Sequence, residues 1–365
     1  MTIYAPMGQA SPGTMTEPSW PRTAIPPLTA AVLRATPEDF TVEEQMPFAL
    51  TGAGEHLWLK LRKRGFNTEQ VAKQLARTAG VTRREVGYAG MKDRHAITVQ
   101  WFSLHLAGRP DPDWGALPDG MTVVESARHS RKLKTGALAG NRFIIVLRDC
   151  LGDCDMVLRR GEEIRTQGVP NYFGEQRFGH GGGNVAAARA MFAGSGSLRD
   201  RKQGGIYLSA ARSWVFNEVL ARRVTTGDWD RTLNGDAMML NGSRSFFVPE
   251  IVDDIIRRRL AEGDIHPSGP LWGRGDLPTQ SAVRELEAAI ASEHADLARG
   301  LEAAGLEQER RALRVIPLEF NTEWLDATTL SLSFVLPPGS YATALLRELA
   351  GYRDVAASAW AGEPA

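Results

Sequence analysis

The chain has 365 residues, 43% hydrophobic and 24% charged, with 43 basic and 43 acidic side chains balancing to zero. That apolar content supports a core of its own, and the length exceeds what one core usually serves, so two domains are expected. No apolar run approaches a membrane span and no basic-then-apolar leader opens the chain. Two cysteines, Cys150 and Cys154, form neither a disulfide framework nor a zinc set. A soluble cytoplasmic protein follows as the expectation.

Taken in chain order, residues 1–27 are rich in Pro, Thr, Ser and Gly without periodicity, and a disordered tail is expected, with order beginning near Leu28. Leu57, Leu59 and Leu61 alternate with polar or amphipathic residues, the period of a half-buried strand. Asn67 with Gln70 forms a capping box for a helix to about Thr78, and Gly80 provides its exit. Thr82 and Glu85 repeat that spacing ahead of a strand at 86–89. A dense charged link follows, Lys92, Asp93, Arg94 and His95, and then a β-rich run at 96–104. A strand at 142–147 places Phe143, Ile145 and Leu147 on one face, with Asn141 on the same face if the extension starts there. A helix over 155–167 ends at Gly168 and Pro170, a domain boundary.

From 171 to about 314 the pattern is mainly helical. Asn184 is expected to cap a helix at 185–193, Ser209 to cap a long helix, and 281–304 to form another. Alternation returns at 329–336, with Leu330, Leu332, Phe334 and Leu336 on one face. Ser340 then caps a last helix from Tyr341 to about Leu349. The economical arrangement returns that late strand to the first sheet and makes the middle an insertion. The expected domains are 28–167 with 317–355, an insertion at 168–316, and a flexible tail at 356–365.

The neutral total hides an uneven distribution. Arg128, Arg131, Lys132, Lys134 and Arg142 precede the next acid, Asp149, and a second cationic run spans 177–223, while acids collect after 285. Such asymmetry can form a basic face, suited to phosphate contacts, or simply solvated helix surfaces. The glycine run 179–183 could offer backbone N–H groups to a phosphate or serve as a hinge. It lacks the ending of a P-loop, so nucleoside triphosphate binding is not expected.

Asp93 is the residue most able to carry chemistry. Lys92 and Arg94 favour its ionised form, and a carboxylate can act as nucleophile, general base or metal ligand. The alternative is a turn aspartate paired with a neighbouring cation.

Seven segments, in order, resemble the TruD family of tRNA pseudouridine synthases. They are RATPEDFTVEE at 34–44, GMKDRHA at 90–96, RHSRKLK at 128–134, GNRF at 140–143, PNYFGEQRFG at 170–179, LSAARS at 208–213 and LPPGSYAT at 336–343. The resemblance implies an α/β (mixed α+β) fold. Its catalytic domain carries a mixed, mostly antiparallel sheet, interrupted by a mainly helical TRUD insertion. It also implies isomerisation of a uridine in tRNA, uridine-13, to pseudouridine without a cofactor or metal.

Asp93 falls on the family's catalytic aspartate, which either attacks the nucleoside or removes a ribose proton. Asn141 falls on an asparagine that helps position it, and Phe143 on an aromatic that packs on the target base. Phe40 and Tyr341 fall on further aromatic positions of the substrate site, the latter where phenylalanine is the family's residue. Lys92, Arg94, Arg128, Arg131, Lys132, Lys134 and Arg177 are the expected contacts to the RNA backbone. tRNA is the partner implied, with no membrane and no obligate protein partner, and a monomer is expected. Two other classes compete. A metal-dependent nuclease would need Asp39, Glu43 or Glu44 to converge with Asp93. A non-catalytic RNA-binding protein would need no reactive acid at all.

Overall fold

The computed structural model describes residues 20–195 and 201–356. Most of the expected N-terminal tail, a short part of the second cationic run and nearly all of the C-terminal tail lie outside the described residues. The chain divides into two compact units. Among the described residues, one comprises 24–169 together with 315–356, and the other 170–314 together with 20–23.

The first unit is built on a ten-stranded sheet. Its early strands are β1 (Leu28–Leu33), β2 (Phe40–Gln45), β3 (His56–Lys63), β4 (Val86–Tyr88), β5 (Ile97–His105), β6 (Met121–His129) and β7 (Gly140–Gly152). Along its main path the order is Leu318–Trp324, Leu330–Leu336, β7, β2, β5, β3, β6. All pairings are antiparallel except β2 with β5 and β1 with Arg353–Asp354.

Leu330–Leu336 lies against β7 with Phe334 opposite Phe143 and Leu336 opposite Asn141. Its Leu330, Leu332, Phe334 and Leu336 side chains are buried together with Phe143, Ile145 and Leu147. Each such side chain withdrawn from water contributes about 1.5–3 kcal/mol, which fixes the register against a one-residue slip.

A second cluster forms where α1 (Thr68–Thr78) lays Val71, Ala72 and Leu75 over Leu57, Leu59, Leu61 and Phe102. The Asn67–Gln70 capping box is present, each side chain satisfying the other's backbone N–H. β3 is covered in part on its second face as well: Trp58, opposite in sense to Leu57, Leu59 and Leu61, is buried, while Lys63 continues the leucine face and is buried with it.

The second unit contains the helices Gly183–Phe192, Arg201–Thr226, Asp254–Ala261, Ser281–Glu293 and Ala295–Ala303. It also holds a four-stranded sheet of Phe246–Phe247, Met238–Leu240, Ile265–Leu271 and Glu309–Ala312. Several local expectations are corrected here. Trp20, expected in the tail, is buried and stacks on Tyr172. Gly182, in the left-handed region, precedes the helix assigned to Asn184, because Asn184 turns its amide back to the Arg177 carbonyl. Ser209 lies inside the long helix and accepts from Arg177 instead of capping. The helix expected over 281–304 breaks at His294. In the first unit the last helix is Ala342–Leu349, with Tyr341 rather than Ser340 at its N-cap.

Candidate functional site

The antiparallel pairing of β4 with β5 makes residues 89–96 the link of a hairpin, and Asp93 rides on that link. The link is tied down by polar side chains. Gln100 donates to the Gly90 carbonyl at 2.7 Å, and Thr68 joins Gln100 to the Lys92 N–H at 3.0 and 2.8 Å. Lys63, at the end of β3, donates to the carbonyls of Asp93 (2.9 Å) and Phe66 (2.7 Å). The Lys92 ammonium meets Glu44 Oε1 at 2.6 Å, and Glu44 Oε2 accepts from the Trp101 N–H at 2.8 Å.

The Asp93 carboxyl keeps 21% of its side-chain surface open. Its Oδ1 accepts from the His95 N–H at 2.9 Å, and its Oδ2 meets Arg34 Nη1 at 2.5 Å. Arg34 was missed in the sequence because it immediately follows β1, far from Asp93 along the chain. It is buried, with backbone φ of 56°. A non-glycine residue held there costs about 1–3 kcal/mol, and such positions persist where surrounding contacts over-determine them. Burial opposes the Arg34 charge, but the carboxylates of Asp354 and Asp93 outweigh it and raise its pKa further.

The aromatic residues connect to this pair. The Arg34 guanidinium sits 5.5 Å from the Phe40 ring centroid. Phe40 meets Phe143 edge-on at 6.2 Å, and Phe143 stacks on Phe334 at 5.4 Å. Asn141 stands opposite Glu44 in the β2–β7 register, and its buried Oδ1 has no hydrogen-bond partner. Such an orphan acceptor carries a desolvation penalty of about 1–3 kcal/mol unless a donor arrives. Phe143 is largely a core side chain at 8% exposure, while Phe40 is half-buried. Tyr341 is half-buried at the start of the helix that follows Leu330–Leu336.

The expected phosphate contacts divide. Arg131 and Lys134 are exposed, and Lys132 is exposed with its ammonium on the Arg84 carbonyl at 2.5 Å. Arg128 is engaged by Asp111 and by the carbonyls of Leu106 and Arg109. Arg94 leans on the His95 ring at 3.1 Å. Arg177, in the other unit, donates to Ser209 and covers the Phe173 ring. Lys92 turns inward to Glu44. The acids considered for a nuclease are each held by a cation: Asp39 by Arg148, Glu43 by Lys60 and Glu44 by Lys92.

Burial pushes the Lys63 ammonium down to about 8, only partly offset by Asp93 and further depressed by Lys92. Between that value and the ordinary 10.5 the unfolded chain holds a proton that the folded one has released. Stability therefore rises with pH across this window, by about 3 kcal/mol from this group. Urea denaturation of wild type and Lys63→Met measures it: the difference between their stabilities should change by that amount between the two values. Parallel curves would refute the assignment.

A partly open carboxylate fixed by an arginine, with aromatic rings linked to that arginine, is an arrangement that suits a nucleophile or a general base. The particular family comes from sequence. The chain matches the family model "tRNA pseudouridine synthase D (TruD)" over residues 24–195 and 185–349. It is 50% identical over 324 residues to tRNA pseudouridine synthase D of Hydrogenovibrio crunogenus, covering 88% of this chain and 93% of that one. It is 50% identical over 353 residues to the protein of that name from Xanthomonas campestris pv. campestris, covering 93% and 96%. The fold matches a solved TruD structure from Methanosarcina mazei with a TM-score of 0.70 at 21% identity, over 90% of this chain and 95% of that chain. The chain belongs to the TruD family.

Proposed function

We propose that this protein converts a uridine of tRNA, uridine-13, to pseudouridine, with Asp93 as the acting acid. The observation that carries the reading is the Asp93 carboxylate, partly open to solvent and held on both oxygens by Arg34 and the His95 N–H. Pseudouridine formation breaks the bond from ribose C1′ to uracil N1, turns the base, and joins C5 to C1′. The C5 proton leaves at the end and N1 takes one up, so the sum is an isomerisation. Asp93 either adds to the nucleoside or takes a ribose proton, and both routes need it ionised and fixed. A stacked uridine must first leave its stack, at a cost of a few kcal/mol. Stacking on an aromatic ring can return about 1–3 kcal/mol of this. Phe143, with Phe40 at its edge, is the ring proposed to receive the base. Asn141 offers an unused acceptor near the same strand face.

tRNA lacking the modification, incubated with the protein and mapped for pseudouridine, tests the reading. A mark at position 13 supports it. A mark elsewhere overturns the position alone, and no mark on any tRNA overturns the activity.

Arg131 and Lys134 are the proposed backbone contacts, because their side chains are exposed. Each phosphate contact removed should lower the slope of log affinity against log salt by about 0.7–0.9. Arg131→Ala and Lys134→Ala should each show that change in filter binding across a salt series. Unaltered slopes would place the RNA on another face.

A further inference from the structure

Arg34 divides its guanidinium between two acids from distant parts of the chain. Nη1 goes to Asp93 Oδ2, while Nε meets Asp354 Oδ1 at 2.9 Å and Nη2 meets Asp354 Oδ2. Asp354 thus occupies the side of the guanidinium fork, and Asp93 receives one nitrogen. Strand register delivers this. Arg353–Asp354 runs parallel to β1 with Leu33 beside Asp354, so the carboxyl falls next to the residue after β1, which is Arg34. The Ala356 N–H also donates to Asp354 Oδ1 at 3.1 Å, fixing the carboxyl from its other side.

We propose that Asp354 is a positioning residue for Asp93. It holds Arg34 side-on, so that the arginine orients Asp93 through one oxygen without gripping both. Arginine and carboxylate prefer the two-point, fork-to-fork pair. Released from Asp354, Arg34 would turn that fork to Asp93. The guanidinium would then bind both oxygens, adding a charged donor to Oδ1, which now accepts only the neutral His95 N–H, and the carboxylate would be a weaker nucleophile and a weaker base. This inference rests on the reading of Asp93 as the acting acid.

The test is the pH dependence of pseudouridine formation by wild type, Asp354→Ala, Asp354→Asn, Asp354→Glu and Asp93→Asn. Asp354→Ala should lower kcat by about 10-fold or more with KM changed by less than about twofold. It should also move the acid limb of the kcat profile to lower pH, because a two-point arginine holds the Asp93 charge more tightly. Asp354→Glu should recover most of kcat, with Asp354→Asn between. A loss of folding alone would not move the acid limb, and thermal melts of the same preparations identify it. Should Asp354→Ala fail to fold, Asp354→Asn, which keeps an acceptor for Nε, carries the same comparison. Wild-type kcat and acid limb in these variants, or a loss confined to KM, would overturn the inference. Turnover by Asp93→Asn would overturn the reading of Asp93 instead, so the two failures are separable.

Discussion

Asp93→Asn should reduce pseudouridine formation by about 10⁴-fold or more while tRNA binding persists. Losses of that size follow when the group that forms or breaks the bond is removed rather than a group that assists it. The amide is nearly isosteric. Its oxygen can still accept from the His95 N–H, which now donates to Oδ1 at 2.9 Å. Arg34 keeps Asp354 as a partner, so no buried charge is stranded and the stability change should stay within about 1 kcal/mol. RNA affinity should hold or rise slightly, since a negative charge is removed from a site facing a polyanion. Pseudouridine mapping, tRNA filter binding and urea denaturation on one preparation separate the three quantities. A variant that still marks tRNA at the wild-type rate would remove Asp93 from its proposed role. A variant that neither binds nor folds would point to a structural aspartate.

Local signals reached the elements around this acid but not the arrangement that holds it. The Asn67–Gln70 box and the alternation of Leu330, Leu332, Phe334 and Leu336 depend on neighbours a few residues away, and both are present as read. Asn141 and Phe143 share a strand whose period brings them to one side, which short-range geometry predicts. Arg34 and Asp354 are 320 residues apart, and only the parallel pairing of Arg353–Asp354 with β1 brings them together. No spacing rule encodes such a pair.

Lys63 was hidden differently. Following the exposed Arg62, it resembles the wet end of a half-buried strand, yet its ammonium is buried on two carbonyls. The strand Ile265–Leu271 contains Pro267 and Pro270, residues that argue against a strand, and so its unit read as mainly helical. Arginine also misleads by its sign alone. Arg223 and Arg310 look like surface cations, but they are buried on Asp236 and Glu287 and so add nothing to a basic face.

Lys92→Met should cost about 3–5 kcal/mol of stability and most of the activity, without reducing the salt slope of tRNA binding. Lys92 lies one residue before Asp93, where a cation reads naturally as a phosphate contact. Its ammonium instead meets Glu44, with side-chain exposures of 11% and 0%. Breaking a buried ion pair from one side strands the other charge, which is the expensive case. Glu44 would retain the Trp101 N–H, but burial already raises its pKa, and the loss of Lys92 removes the main opposing influence. It should then take up a proton much closer to neutrality, and the link that carries Asp93 would lose its anchor to β2.

Replacing both partners, Glu44→Leu with Lys92→Met, separates stability from function. An apolar pair of similar volume should recover part of the stability, because no charge is left buried alone, although the Trp101 N–H loses its acceptor at about 1–3 kcal/mol. Activity should remain low, since the tie that sets the Asp93 link is still missing. Urea denaturation, kcat and a salt series on the single and double variants decide the point. If Lys92→Met instead lost under about 1 kcal/mol and its salt slope fell by about 0.7–0.9, the ammonium would belong to the RNA rather than to Glu44.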